Sequence, residues 1–268
     1  MPILKMESFK DNFSKQSNAY QKYRPSYPKE LFEYLSNISK THNLAWDCGT
    51  GNGQSAVGLA HYFENVYATD PSERQISNAL SHPKITYRVE KAETCSLENK
   101  SADLITVAQA LHWFDFEKFY AEVKRVLKPN GIIAVWTYSL PKISFEIDEI
   151  VLHFQDNILG GFWQKENQFV SEEYRTIPFP FKEIETPSFK FQKKITFEDL
   201  KGLLVSWSAT QRYKDQNGTD PVLEIENNLL NLWRKSHETK LATWNIFLKV
   251  GTAAQLKTFS AIGSLTFL

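Results

Sequence analysis

Between about Leu31 and Trp136, short β-branched or apolar runs alternate with amphipathic segments, the pattern of βα units that build a parallel sheet. "LAWDC" reads as the first strand and runs directly into glycines. "NVYATD" reads as the second, "KITYRVE" and "ADLITVAQ" as the third and fourth, and "IIAVWTY" as the fifth. Between them "SAVGLAHYF" repeats apolar residues at helical spacing through Ala56, Val57, Leu59, Ala60 and Phe63. "SERQISNAL" predicts a helix capped by Ser72, with Glu73 in its first turn. "FEKFYAEVKRVLKPNG" predicts an amphipathic helix stopped by Pro129, with Asn130 and Gly131 turning the chain into the fifth strand.

Beyond Tyr138 the pattern changes. Pro141, Pro178, Pro180 and Pro187 punctuate aromatic-rich segments, and "FEIDEIVLHF" and "GGFWQKENQFV" read as short helices capping the sheet. A strand is expected near "SFKFQKKITF", helices in "FEDLKGLLVSWS" and "PVLEIENNLLNLWRKS", and a final strand in "KLATWNIFLKV". The organisation expected is an entry segment over residues 1–30, a sheet core over 31–138, a helical cap over 139–185, further strands and helices over 186–251, and a tail over 252–268. At 268 residues this is one enlarged domain, or a core with an insertion.

Composition narrows the partners. Lys plus Arg equals Asp plus Glu at 31 each, so no net positive field draws in nucleic acid. Cys48 and Cys95 are the only cysteines, which predicts reduced thiols in a cytoplasmic protein. No apolar run has the length of a membrane span or a signal core, so a soluble protein is expected and the sequons at Asn12 and Asn217 carry no weight. The six histidines lack metal-ligand spacing, so no metal is expected, and serine-hydrolase and P-loop signatures are missing.

The candidate chemistry lies in "WDCGTGNGQ". Glycine after a strand permits a tight turn and close approach of a ligand to the backbone, and the helix that opens there offers N–H groups. Dinucleotide binding calls for G-x-G-x-x-G, but Gln54 stands where its third glycine belongs; the glycines are Gly49, Gly51 and Gly53, behind the acid Asp47. An acid there repels a pyrophosphate and suits a ligand carrying an ammonium group. Asp70 closes the second strand about 20 residues on, where a carboxylate accepts hydrogen bonds from ribose hydroxyls. Taken singly, Asp47 reads equally as a turn-capping carboxylate and Asp70 as a helix cap; at consecutive strand ends they point to an adenosine ligand.

These motifs resemble those of the class I S-adenosylmethionine-dependent methyltransferases, and within them a small-molecule group similar to trans-aconitate methyltransferase-like proteins. "DCGTGNGQ" looks like the first motif, "ATDPSERQI" the second, "KAETCSL" the third and "VAQALHWFD" the fourth, while "YQKYRPSYP" resembles the entry segment. The likeness is close over about residues 9–138 and looser to about Gly251, short of "TAAQLKTFSAIGSLTFL". It implies a Rossmann-like, doubly wound, seven-stranded, mostly parallel sheet whose last strand is antiparallel, with an inserted helical cap. It also implies S-adenosyl-L-methionine as cofactor, with Gly49, Gly51 and Gly53 at its methionine and ribose parts beside the acid Asp47, Asp70 at the ribose, Ala92 and Glu93 at the adenine, and Gln109 near the methionine part and the transferred methyl. Tyr20 and Arg24 are expected over the cofactor or substrate mouth, with Arg24 placed to pair with a carboxylate.

Methyl transfer from a sulfonium is an in-line displacement that positioning alone accelerates, so a missing acid or base says little. His112 in "ALHWFD" reads as a base or substrate-orienting residue and Trp113 as a substrate-pocket wall, against the plainer alternatives of a helix-capping histidine and a core tryptophan. The acceptor expected is a small molecule, with a carboxylate oxygen leading by resemblance. Open alternatives are a non-catalytic cofactor-binding protein, a nucleic-acid methyltransferase and a nicotinamide-dependent oxidoreductase. The last shares Asp70 but conflicts with Asp47 and Gln54.

Overall fold

The computed structural model describes residues 27–252, so Tyr20, Arg24 and the tail after Thr252 lie outside the described residues. The first helix, α1 (Lys29–Ile38), buries Leu31, Phe32 and Leu35 and is followed by β1 (Leu44–Cys48). Then come α2 (Gln54–Ala60), β2 (Asn65–Asp70), α3 (Glu73–Ser77), β3 (Ile85–Val89) and β4 (Ala102–Ala108). Ser72 caps α3 as expected, its Oγ accepting from the Gln75 N–H. α4 (Phe116–Val126) leads into β5 (Leu127–Tyr138).

Here the sequence expectation needs correction. α4 stops at Val126, before "LKPNG", and Leu127 is already extended at φ −70° and ψ 132°. Extended backbone is favoured at Lys128, just before Pro129, and pairing with Ala102 of β4 holds Leu127 extended one residue earlier. Pairing with β4 is irregular between Ala102 and Leu104, which absorbs the added length of β5.

Past β5 lies α5 (Phe145–His153), which runs into a π-helical turn over Phe154–Ile158. Short turns lead to α6 (Gln168–Ser171). β6 (Lys182–Ile184) follows, a short strand inside the stretch expected to be helical cap, and then β7 (Phe189–Ile195). α7 (Phe197–Val205) is fixed by a capping box between Thr196 and Asp199. α8 (Ser208–Asn217) had no sequence expectation; its first turn alone is buried and it ends at left-handed Gly218. α9 (Leu223–Trp233) and β8 (Lys240–Thr252) complete the described chain.

The sheet order is β3-β2-β1-β4-β5-β8-β6, and β7 also pairs with β8, so β6 and β7 share the seventh position. β1 to β5 pair in parallel and β8 runs antiparallel to β5. This is the mostly parallel, seven-position Rossmann-like sheet that the motifs implied, with the last strand reversed.

Alternate residues of the central strands enter different cores. Ile132, Ala134 and Trp136 join one cluster with α1, α2 and the helices after β7, while Ile133 and Val135 join a second with Phe119, Val123 and Val126 of α4. A sheet covered on both faces needs such near-continuous apolar strands. The strand order reverses direction between β1 and β4, which opens a crevice at their carboxyl ends, where open α/β sheets bind ligands. Residues after β5 span that crevice. Ile147, Val151 and Phe154 pack in the first core, Phe169, Val170 and Tyr174 in or against the second, and residues 164–167 pass between.

At the opposite ends of the strands Asp103, 3% exposed, accepts from the N–H groups of Asn43 and Leu44 at 2.8 and 2.9 Å, from Lys128 at 2.6 Å and from the Thr41 hydroxyl. Burial pushes its carboxyl up, but Lys128 and the other donors outweigh that and bring it below the ordinary range. A depressed carboxylate stabilises the fold fully above its unfolded value, about 3.9, and that stabilisation is lost as pH falls through its folded value. Asp103→Ala is expected to lower the unfolding free energy by about 2–3 kcal/mol near neutrality. The gap in urea midpoint between wild type and variant should narrow as pH drops below about 4; a gap that is constant with pH would contradict this account.

Candidate active site

The crevice holds two adjoining cavities. The first has a volume of about 870 Å³ and is walled by the loop after β1, by Asp70 at the end of β2, by Ala92 and Glu93, and by residues 108–110 after β4. The second, about 800 Å³, lies under the cap. Gln109, Trp113, Gln164 and Lys165 line both, so the two are one cleft in two compartments.

The loop is shaped from beneath by Asp47, which is fully buried on β1. Its Oδ1 accepts from the Thr106 hydroxyl on β4 at 2.6 Å and its Oδ2 from the Thr50 hydroxyl at 2.5 Å. Burial pushes its carboxyl above the ordinary value, against those hydrogen bonds. Asp47 is therefore not among the residues that line either cavity, and its two hydrogen bonds tie the loop to β4.

Gly53 likewise lines neither cavity. It holds φ +86°, and an added Cβ would collide with the Tyr87 hydroxyl. Gly51 does line the cavity, and a Cβ built on it meets nothing within 4 Å, so a side chain there would project into open cleft. Gly49 lines it too, pressed so near Ala110 that a Cβ would lie 2.6 Å from that side chain.

Of the remaining expected cofactor residues, the four that are described, Asp70, Ala92, Glu93 and Gln109, line the first cavity. Asp70 accepts from the Gly51 N–H and the Ser72 N–H, both at 2.9 Å, so one carboxylate ties the glycine loop to the start of α3. Glu93 accepts from the Asp115 N–H at 3.0 Å, and Ala92 is buried beside it. Gln109 stands at φ +56°; its N–H continues the sheet to the Trp136 carbonyl at 2.9 Å and its Oε1 accepts from Thr137 at 2.8 Å.

His112 and Trp113 occupy a single helical turn, Leu111–Trp113, after β4. His112 is 5% exposed, lines the second cavity and has Nδ1 2.7 Å from the Tyr174 hydroxyl. Trp163, Trp207 and Trp244 line that cavity as well, whereas Phe154 is core.

Several site residues escaped the sequence reading. Thr106 and Thr137 are polar residues inside apolar strands, a signal that was legible. Asn52 lines the first cavity with its Nδ2 buried and unpartnered. Nothing local marks Tyr174 or the cap residues Gln164 and Lys165, which a chain excursion carries to the cleft.

These features fit S-adenosylmethionine. Gly51 leaves a cradle that any side chain would fill, Asn52 offers a buried donor with no protein partner, and Asp70 supplies carboxylate oxygens at a strand end. Among the described residues no group of His, Cys, Asp and Glu is arranged to hold a metal, and no helix is long and apolar enough to cross a membrane.

Comparison with known proteins agrees with the geometry. Residues 46–135 match the family model described as a methyltransferase domain. A Dictyostelium discoideum protein described as a methyltransferase is 35% identical over 237 residues, covering 87% of this chain and 90% of that protein. A Saccharomyces cerevisiae protein described as an S-adenosylmethionine-dependent methyltransferase, CRG1, is 24% identical over 77% of this chain and 83% of its own. The solved structure of a protein from Anaeromyxobacter dehalogenans, described as a type II methyltransferase, superposes with a TM-score of 0.81 at 38% identity, covering 87% of this chain and 99% of that one.

Gly53→Ala is expected to cost about 1–2 kcal/mol through its left-handed backbone, and more if Tyr87 must move. Gly160→Ala, where a Cβ meets open space, should stay within about 0.5 kcal/mol of wild type. Urea unfolding of both variants checks the contrast, and equal midpoints would remove the assigned role of Gly53.

Proposed function

The chain belongs to the class I S-adenosylmethionine-dependent methyltransferases, and from that premise we propose that it methylates a small molecule bound in the second, tryptophan-lined cavity. The observation that carries this reading is the shared wall: Gln109, Trp113, Gln164 and Lys165 border both compartments, so molecules in each would meet at the end of β4. When bound, S-adenosylmethionine supplies an electrophilic methyl group.

In this proposal Gly49, Gly51 and Asn52 cradle the cofactor, Asp70 takes its ribose, and Ala92 and Glu93 its adenine. Gln109, locked by Thr137 and the Trp136 carbonyl, orients the reacting end. Trp113 forms part of the acceptor wall. Cap residues 164–165 exclude water, which strengthens the polar contacts inside and holds the two molecules aligned, worth roughly 7–11 kcal/mol in well-oriented reactions. Asp47 and Gly53 act through the shape of the loop. Tyr20 and Arg24, outside the described residues, keep their proposed place at the mouth.

A carboxylate acceptor, the subclass that the resemblance implies, would pair with Lys165 at the junction and need no base. A hydroxyl or amine needs a proton acceptor, so the nucleophile class turns on whether the cavity holds one.

Calorimetric titration with S-adenosylhomocysteine tests the cofactor assignment. Asp70→Ala removes a ribose acceptor together with the tie to Gly51, and its Kd should rise about 10- to 100-fold, the equivalent of roughly 1.5–3 kcal/mol for hydrogen bonds to a charged group. Unchanged affinity in a folded variant would place the ribose elsewhere.

A further inference from the structure

One helix that borders the second cavity begins without a cap. α8 (Ser208–Asn217) is preceded by Trp207, whose side chain has no oxygen to accept with, and no side chain caps its first turn. The first bond that returns to this start runs from the Gln211 N–H to the Trp207 carbonyl at 3.2 Å. The N–H groups of Ser208, Ala209 and Thr210 come before it and have no intrahelical acceptor. Ala209 and Thr210 are fully buried, and among the described residues no carbonyl takes these three N–H groups. The polar side chains of the same turn are committed elsewhere: the Thr210 hydroxyl donates to the Leu204 carbonyl at 2.8 Å and the Gln211 amide to the Val205 carbonyl at 2.9 Å. A helix start left in this state concentrates about half a positive charge and attracts an anion.

Two side chains on one face of α8 agree with that reading. Ser208 is 9% exposed and lines the second cavity, and its hydroxyl has no hydrogen-bond partner among the described residues. Arg212 follows one turn along, where positions i and i+4 share a face. Its Nη1 donates to the Phe162 carbonyl at 2.6 Å, while its Nη2 is buried and has no partner. Burial weighs against its charge, and Glu166 supports that charge without a hydrogen bond to it. Arg212 does not itself line the cavity, but Gly160 and Trp163, on either side of the carbonyl that it holds, do.

The charges on the cavity wall leave this positive end in surplus. Lys142 and Lys165 are matched by Asp156 and Glu173, so the excess comes from Arg212 and the start of α8. The two acids weigh against a doubly charged group. Beside Ser208, Trp163 and Trp207 lie 5.8 Å apart and form a flat apolar flank. Ser208 and Trp207 line the second compartment only, apart from the junction at Gln109 and Trp113.

We propose that the start of α8 is a carboxylate-binding subsite of the acceptor cavity, with the Ser208 hydroxyl and N–H as its donors and Arg212 as the charge behind it. The acceptor class is a flat apolar molecule with one carboxylate, held at α8 while another of its atoms is presented at the junction. The anchored carboxylate is thus a handle and not the methylated group. This rests on the small-molecule reading above and narrows it.

Calorimetry on the full chain saturated with S-adenosylhomocysteine tests this with 2-naphthoate, the neutral 2-naphthamide and 2-naphthyl phosphate. We expect 2-naphthoate to bind about 10-fold tighter than 2-naphthamide, and tighter than the phosphate. Ser208→Ala should weaken 2-naphthoate about 10-fold, and Arg212→Gln, which keeps a donor for the Phe162 carbonyl, by a similar factor, with 2-naphthamide within about 3-fold of wild type in both. Ser208→Asp covers the case in which Arg212→Gln does not fold, because a carboxylate at a helix N-terminus favours the helix and here fills the subsite itself. That variant should unfold no earlier in urea than wild type, keep its affinity for S-adenosylhomocysteine and 2-naphthamide, and lose 2-naphthoate by about 100-fold or more. Equal affinity for 2-naphthoate and 2-naphthamide, tighter binding of the phosphate, undiminished 2-naphthoate affinity in folded Ser208→Asp, or a loss in Lys165→Gln without one in Ser208→Ala would each overturn the proposal. Binding of none of the three compounds would overturn the small-molecule reading with it, and failure of wild type to bind S-adenosylhomocysteine would overturn the cofactor assignment beneath both.

Discussion

A single buried carboxylate at the strand reversal conditions everything above it. Asp47 joins β1 to β4 through Thr106 and joins β1 to the glycine loop through Thr50. A charge removed from water costs several kcal/mol unless hydrogen bonds compensate, and here two hydroxyls do so from the two elements that must stay in register. Its elevated carboxyl and the depressed one of Asp103 act in opposite senses. Ionisation of Asp47 weighs against folding as pH rises past its ordinary value, whereas ionisation of Asp103 favours folding. The fold therefore bears an electrostatic cost at the ligand end of β1 and recovers stability at the other end, where no ligand has to fit.

That division explains why the glycines are spaced as they are. Gly49 permits contact with the β4 loop, Gly51 keeps the cradle open, and Gly53 lets Tyr87 close over the turn. None of these roles is interchangeable. Their common requirement is a backbone held by Asp47 below and by Asp70 at the side, since Asp70 receives the Gly51 N–H.

The core sheet was legible because its strands are short, apolar and punctuated by glycine or proline, and because alternate residues feed two cores. Boundaries were less so: α4 ended three residues before Pro129, where the pairing of Leu127 with β4 and the proline's bias at Lys128 outweighed the apolar periodicity. β6 and α8 were missed for a different reason. β6 is three residues long and exists through pairing with the end of β8, and α8 is polar, with burial confined to its first turn, so neither has the pattern of its final state. That Asp70, Ala92, Glu93 and Gln109 line the first cavity was readable because they lie at or near the carboxyl ends of strands. Tyr174 was not, since its approach to His112 spans 62 positions of sequence and depends on how the cap returns to the second face.

Strain adds a last link between fold and chemistry. Gln109, Glu173 and Tyr174 are non-glycine residues with left-handed backbone, and all three border or support the cleft. Gln109 can hold that conformation because its N–H extends the β4–β5 ladder and its side chain is fixed by Thr137. Tyr174 can hold it because its ring is sealed in the core beneath α4 and its N–H is taken by Phe169. Gln109 and Tyr174 are thus anchored on the rigid sheet and in the packed core. An arrangement fixed in this way costs no reorganisation when an acceptor arrives, and that preorganisation is what a reaction governed by distance and alignment requires.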